Sequence, residues 1–313
     1  MALYTQYDVV GLKEDISDVI SNISPTDTPF QSMLGSDKVT QKVFQWQEDT
    51  LRAVATNAQV EGFTADDVAL SPTTMRSGTV QILAESIKVA GSLDAADSYG
   101  RAKESAYQIA KSMTQVKLDL EYAYVGSAQA AVTGSNGVAR KLASYQAQLH
   151  NGGTGSLDAD DFVLYTGGAG TAPTEANYLS VLSHLYTFGG KPNTIMVTPT
   201  EAMNIADFAK AAGRYRTITS ESTGRDQRAI INVVDLYVSP FGRHKVAINR
   251  QLHSKWTLFY APENWKKVVL QGRNWTREKM AKTGDAETYL MVGEFSLKHV
   301  NQSASGAIEM AVS

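Results

Sequence analysis

The sequence predicts an α+β fold in which a long helix and a late strand bracket an inserted α/β segment. Tyr99, Ala102, Ala106, Ile109, Met113, Val116, Leu120 and Ala123 recur at three- and four-residue steps, which places them along one stripe of a helix. Tyr289, Met291, Phe295 and Leu297 alternate with Thr288, Leu290, Val292, Glu294, Ser296 and Lys298, the period of a long antiparallel strand with one face on a helix. Between them, glycine-punctuated βα alternation runs over 131–270. A domain built from two distant parts of the chain, with an α/β domain inserted, follows from that order.

The elements are justified in turn. Leu12 to Ser21 reads as a short helix, followed by the turn cluster Ser24-Pro25-Thr26-Asp27-Thr28-Pro29 and a second short turn to Leu34, closed by Gly35. Pro29 after a capping Thr28 suits a first helical position. Neither piece can own a core, so residues 1–36 are expected to lie on something else, as an arm does. From Val39 to about Arg52 the residues alternate, with Phe44 and Trp46 on one face. A second extended run, Thr79 to Val89, aligns Leu83, Ile87 and Val89. The polar, acidic stretch Ala53 to Pro72 separates the two runs and is too long for a tight turn. The two readings are a long, poorly buried hairpin arm and an ordinary surface loop between core strands.

The stripe helix is expected over Asp94 to Val132, with Arg101, Lys103, Glu104, Lys111, Lys117 and Glu121 on its outer side. At about 30 residues it would reach about 45 Å, the length of a structural spine. Gly134-Ser135-Asn136-Gly137 and Asn151-Gly152-Gly153-Thr154-Gly155 mark turns. Tyr178, Val181, Leu182, Leu185 and Tyr186 form a second amphipathic helix ended by Gly189-Gly190. Asn193 to Val197 is a short strand, and Thr198-Pro199-Thr200-Glu201 starts a helix over Ala202 to Ala212. Strand-like runs at Ile230 to Val238, Lys245 to Ile248, Trp256 to Tyr260 and Val268 to Leu270 complete the inserted domain.

Composition narrows the function. The chain has 313 residues, 43% of them hydrophobic, and a formal charge of −3, which excludes a strongly basic nucleic-acid binder as a description of the whole. The total hides an asymmetry: Phe241 to Lys282 holds ten Lys/Arg against two acids, a net of +8, which leaves −11 for the remainder. With no cysteine, disulfides, thiolate nucleophiles and Cys-based metal sites are excluded. Nowhere do 18 consecutive apolar residues occur, and the N-terminus lacks a basic flank before an apolar run, so no membrane association is expected.

Catalytic patterns are not found. His150, His184, His244, His253 and His299 are scattered, with no His-Glu-x-x-His pair. Asp158-Ala159-Asp160-Asp161 lacks the glycine and terminal glutamate of a calcium loop, and reads as a surface loop feeding a helix start. Gly189-Gly190-Lys191-Pro192 misses the P-loop spacing and is better explained as a helix stop. No Gly-x-Ser-x-Gly elbow or dinucleotide fingerprint occurs. No catalytic, cofactor or metal residue is therefore assigned, and no cofactor is expected. The basic region, Lys266, Lys267, Arg273 and Arg277 among it, is interleaved with Trp256, Trp265 and Trp275. It could track phosphates with stacked bases, or meet the acidic Glu48, Asp49, Glu61, Asp66 and Asp67 of another copy. The second is the favoured reading.

The order of parts resembles that of tailed-phage major capsid proteins of the Hong-Kong-97-type fold. Asp15-Ile16-Ser17-Asp18 through Ile23-Ser24-Pro25-Thr26-Asp27-Thr28-Pro29-Phe30, then Phe44-Gln45-Trp46-Gln47-Glu48-Asp49 and the closing Gly293-Glu294-Phe295-Ser296-Leu297-Lys298, are similar to the SU10-type branch. The resemblance spans nearly the whole chain and is most specific at Ser-Pro-Thr-Asp-Thr-Pro-Phe.

It implies an N-terminal arm at 1–36, an extended hairpin loop at 37–82, a peripheral domain with the spine helix at 83–130 and 271–313, and an axial domain at 131–270. It implies a structural, non-enzymatic protein that self-assembles as hexamers and pentamers into an icosahedral head around double-stranded DNA, located in the virion and assembled in the host cytoplasm. The implied partners are further copies of itself, scaffolding and portal proteins, and in some relatives a decoration protein. The arm begins almost at Met1, so a separate scaffolding protein is expected, and no crosslinking motif is seen. The expected intersubunit contacts are Phe30, Phe44, Trp46, Glu61, Asp66, Asp67, Lys266, Lys267, Arg273 and Arg277, because an arm and a hairpin with little core of their own must bury apolar side chains on neighbours. The alternatives are a compartment-forming shell protein of the same fold and a mixed α/β enzyme.

Overall fold

A computed structural model describes residues 26–64, 70–96, 103–149, 157, 162–166, 172–211, 236–282 and 284–310. The helix expected over Leu12 to Ser21, the turn at 151–155, the acidic run at 158–161, His150, Asp66 and Asp67 lie outside them. The elements run α1 (Pro29–Met33), β1 (Gly35–Val39), β2 (Val43–Glu48), β3 (Thr74–Thr79), β4 (Gln81–Ala90), α2 (Gly91–Ala95), α3 (Glu104–Glu121), α4 (Tyr145–Gln148), β5 (Val163–Thr166), α5 (Glu175–Thr187), β6 (Thr194–Val197), α6 (Pro199–Ala211), β7 (Leu236–Ser239), β8 (Gly242–Ile248), β9 (Trp256–Tyr260), β10 (Trp265–Leu270), β11 (Thr276–Lys279), β12 (Ala286–His299) and β13 (Gly306–Met310).

The chain divides into two compact units. The described part of the smaller one comes from Ala84–Val116 and Arg277–Met291. In it β4 and β11 pair with β12. Gly91, at the start of α2, donates its N–H to Asp285 O at 3.2 Å, and a Cβ there would stand 2.7 Å from the Asp285 carboxylate. Asp94 caps α3 from a distance, accepting the Ser105 N–H and hydroxyl, both at 3.0 Å. Those bonds, the backbone one first, outweigh desolvation and hold the Asp94 carboxyl below its usual range.

The larger unit comes from Asp27–Leu83, Lys117–Thr276 and Val292–Ser313. It holds the six-stranded sheet β5-β13-β9-β6-β8-β7, with α5 against β5 and β13 and α6 against β6 and β8. Period-two pleating splits each central strand between two cores. Leu258 and Tyr260 of β9 and Met196 of β6 join a core with Leu120, Tyr124, Tyr145 and Trp265. Phe259, Ile195 and Val197 point the other way, to Tyr178, Val181, Leu182 and Leu185 of α5. Strands buried on both faces read as apolar runs, which is why β6 and β9 were legible. Gly189 takes φ +85 after α5, and Gly190 N donates to Leu185 O at 2.7 Å, so the glycine pair is a helix stop.

Three expectations are corrected here. The spine is shorter than Asp94 to Val132: α2 is separate, α3 ends at Glu121, and a single π-type turn, Tyr122–Gly126, follows. Ala128 beyond it has φ 47, so no helix continues. Two strands also cross the expected domain boundaries. β10 pairs with β1 and β12, and β13, expected in the peripheral part, lies between β5 and β9. Finally, β12 is not half-exposed beyond Met291: Val292, Glu294 and Ser296 are buried along with Phe295 and Leu297.

Candidate functional site

A hairpin forms, but its second strand is not the expected run: β2 pairs with β3, Thr74–Thr79, while most of the Thr79 to Val89 run is β4 and pairs with β12, and the two ends of the hairpin differ in character. At the base, β2 and β3 pair antiparallel, with Phe44 opposite Gly78 and Trp46 opposite Arg76. Phe44 and Trp46 stack at 5.6 Å and pack with Val80, Val268, Val39 and Leu270. A Cβ on Gly78 would lie 2.5 Å from the Phe44 ring, so only glycine fits beneath it. Glu48 accepts from Trp46 Nε1 at 3.3 Å and pairs with Arg76 at 3.1 Å, and Lys298 Nζ stands 5.8 Å over the Trp46 ring.

Beyond the base, residues 49–64 and 70–73 have no core of their own. Leu51, Val54 and Leu70 expose 98%, 102% and 92% of their surface, and Val60 and Phe63 more than half. The hydrogen bonds here are local: Phe63 N to Val60 O at 3.1 Å around Gly62 at φ +78, Thr50 N to Asp49, and Arg52 to Ala53 O. Glu61 sits exposed at that turn. Several large apolar side chains held in water along one projecting segment mark a surface made for a partner.

The other expected contact residues distribute unevenly. Phe30 is fully buried in its own chain, edge-on to Tyr124, Tyr145, Tyr260 and Trp265 at 5.4–6.4 Å. Phe44 is 9% exposed. Neither ring is available to a neighbour, and Trp46 is partly buried, because α1 and the hairpin base each find an apolar floor within the subunit. Lys266 and Lys267 are adjacent on β10 and therefore face opposite sides of the sheet. Lys266 stands opposite Lys298, beside the Lys298–Asp37 ion pair of 3.3 Å. Burial acts to raise the Asp37 carboxyl, but the Lys38 N–H and the Lys298 and Lys266 ammonium groups prevail and hold it low. Lys267 lies 6.0 Å over Phe295, its pKa lowered by burial and then by Lys117. Arg273 is committed internally: its Nε and the Arg140 guanidinium each hold the buried Glu294 carboxylate at 2.8 Å. Arg277 is exposed on β11.

The sequence reading missed one residue of consequence. Glu121, assigned to the outer side of the spine, is 0% exposed. Its carboxylate accepts the N–H groups of Phe30 at 2.7 Å and Gln31 at 3.0 Å, and the Asn249 amide at 2.8 Å. The Phe30 and Gln31 N–H groups are first-turn donors of α1, whose own Thr28 makes no side-chain cap. A carboxylate two positions before a run of Ala, Tyr and Val was the available signal, but nothing local ties it to residue 30.

Two of the histidines, His244 and His299, serve the fold. His244 sits between Pro192 O and Ser239 Oγ, both at 2.7 Å, and burial lowers its pKa. His299 stacks on Trp265 at 4.0 Å with Nε2 3.0 Å from Ser305 Oγ, which also accepts from Trp265 Nε1 at 2.8 Å. Among the described residues no three His, Asp or Glu side chains stand together as a metal site, and no helix is long and apolar enough to cross a membrane.

A six-stranded α/β body, a long strand and a hairpin with a solvent-exposed tip define the class of shell-forming capsid proteins. Two solved structures share the fold: the cyanophage A-1(L) capsid, with TM-score 0.68 at 12% identity over 95% of this chain and 96% of that one, and the SrpI encapsulin of Synechococcus elongatus PCC 7942, with TM-score 0.61 at 11% identity over 99% and 96%. The family model of the SU10 major capsid protein matches residues 3–311, so the chain belongs to that family. The major capsid protein of Escherichia phage Phieco32 is 30% identical over 344 aligned positions, covering 98% of this chain and 96% of that protein.

Proposed function

We propose that copies of this chain close an icosahedral phage head as hexamers and pentamers around double-stranded DNA, with the hairpin tip as a principal intersubunit tie. The observation that carries this is the row Leu51, Val54, Val60, Phe63 and Leu70, solvated in the single subunit on a segment with only local hydrogen bonds. A standard interface buries about 1,600 Å², and a subunit held by several neighbours exceeds that several-fold. On this reading 1–36 is the arm, 37–82 the extended loop, 83–130 with 271–313 the peripheral domain and 131–270 the axial domain, with β13 a peripheral-segment strand contributed to the axial sheet.

Glu61, Asp66 and Asp67 are proposed to meet Lys266, Lys267 and Arg277 of neighbouring copies, which sets register and partner choice more than affinity. Phe30, Phe44 and Trp46 act indirectly, by holding the bases of the arm and hairpin. Separate scaffolding and portal proteins, and a decoration protein where present, complete assembly in the host cytoplasm, and no catalytic role is proposed. The encapsulin likeness keeps a second reading, a host compartment shell, which packaged enzyme in place of DNA would favour. The test is deletion of 50–72. The expected product is a folded subunit that makes no shells, and intact shells from it would overturn the role given to the tip.

A further inference from the structure

The larger unit contains a buried polar cluster that assembly does not use. Glu201, in the first turn of α6, is 3% exposed. Thr198 Oγ1 accepts its N–H at 3.3 Å and its Oε1 accepts from the Asn204 amide at 2.9 Å, but Oε2 makes no hydrogen bond. Tyr178 Oη of α5 and Thr257 Oγ1 of β9 are likewise sealed from solvent without a bond of full geometry. These three atoms come from three elements, α5, α6 and β9, and Tyr178 acts directly on the Glu201 carboxyl.

Among the described residues no cation offsets a charge there. The described titratable or charged side chains on the elements around it are Glu175, Tyr178, His184 and Tyr186 of α5, Arg243, His244 and Lys245 of β8, Tyr260 of β9 and Asp207 of α6 itself. Of these, Tyr178 alone acts on Glu201. Arg243 and Lys245 are exposed, and His244 is held by Pro192 and Ser239. A buried carboxylate with an unpaired oxygen is costly, whereas the neutral acid gains an O–H that can close onto the tyrosine oxygen. Burial pushes the Glu201 carboxyl up, against the opposing Asn204 and Tyr178 contacts, and burial holds Tyr178 protonated.

We propose that Glu201 is a pH-sensitive clamp of the α/β body: as the uncharged acid it joins α6 to Tyr178 of α5, whose hydroxyl stands beside Thr257 of β9, and its ionisation loosens α6. The sign follows from linkage. A carboxyl whose pKa is raised on folding binds its proton more tightly in the native state, so stability falls as pH climbs from the ordinary carboxylate range through the folded value.

Amide exchange of the full-length chain, corrected for the intrinsic rate and read on α6 peptides at about pH 5 and about pH 8, tests it. In the parent, α6 protection is expected to drop by on the order of tenfold between the two conditions, and in Glu201→Gln the difference disappears. A parent with no such drop, or a Glu201→Gln chain that keeps it, would overturn the clamp. Should Glu201→Gln fail to fold, the infrared carboxylic-acid band decides, read in Glu121→Gln because desolvation raises that carboxyl too. A band persisting above the range in which the other glutamates titrate supports the proposal, and its absence removes it.

Discussion

The Glu121 carboxylate accepts the backbone N–H of Phe30 at 2.7 Å across 91 residues of sequence. Through that bond a carboxylate in the last turn of α3 caps α1, and the cap seats the Phe30 ring among four aromatic side chains. Orientation and burial are thus coupled: without the cap the first turn of α1 loses its acceptor, and without the ring it loses its anchor. Desolvation raises the Glu121 carboxyl against the Gln31, Phe30 and Asn249 donors, so its retention marks how much the buried N–H groups need it.

Removing either partner should therefore destabilise the larger unit. Phe30→Ala is expected to cost about 3–5 kcal/mol through the cavity left behind. Glu121→Ala should cost about 3 kcal/mol by orphaning buried donors, and Glu121→Gln less, since an amide keeps one acceptor oxygen while turning its NH2 toward a donor. Denaturant unfolding of the four chains of a double-mutant cycle checks this. The double variant should lose less than the two single losses together, and simple additivity would show that the cap and the ring are independent.

The hairpin base offers a second test. Because a Cβ on Gly78 would meet the Phe44 ring at 2.5 Å, Gly78→Ala should displace that ring and cost about 1–3 kcal/mol. Shrinking the ring in Gly78→Ala/Phe44→Leu should recover part of it. Protease sensitivity at Arg52 and Arg76 is a direct readout, rising in the single variant and falling again in the double. Equal sensitivity in Gly78→Ala and the parent would mean that the ring moves aside without cost.

How much of this was legible in the sequence follows from the range of the interactions. Apolar runs such as 256–260, the α5 stripe and the glycine stop at Gly189 are local patterns, and β9, α5 and its end stand where the pattern puts them. The first strand of the hairpin was legible through the alternation about Phe44 and Trp46, but its partner Thr74–Thr79 was not, because that short polar stretch carries no apolar alternation and the Thr79 to Val89 run that does pairs with β12 instead. What those rings touch was not legible either, because Val268 and Leu270 lie more than two hundred residues away. The same holds for Glu294, read as a solvent-facing position on an alternating strand but buried between Arg140 and Arg273. Periodicity reports that a residue has a side, and only tertiary structure reports what lies on it. The exposed row from Leu51 to Leu70 is the converse case. Most of its side chains fall in a stretch that composition marks as polar, and only their exposure in the structure, along 49–64 and 70–73, makes them the contact residues proposed above.

The last prediction concerns acid. His299 is fully buried, flat against Trp265 at 4.0 Å, and burial followed by the Arg76 charge pushes its pKa down from 6.5 to about 3. The native state therefore keeps the imidazole neutral where the unfolded chain would already have protonated it. As pH falls below 6.5 the unfolded state binds the extra proton first, so stability declines between about 6.5 and about 3, by up to about 1.4 kcal/mol per pH unit. His244 and His253, both lowered mainly by burial, add to the loss in the same direction. His299→Phe can keep the stack on Trp265 while giving up the Ser305 contact, so it should be less stable at neutral pH yet show a shallower acid slope. Unfolding midpoints of both chains measured from neutral pH into the acid range decide the matter. Parallel curves would show that the acid loss comes from other groups, and a shallower curve for His299→Phe would assign it to this buried imidazole.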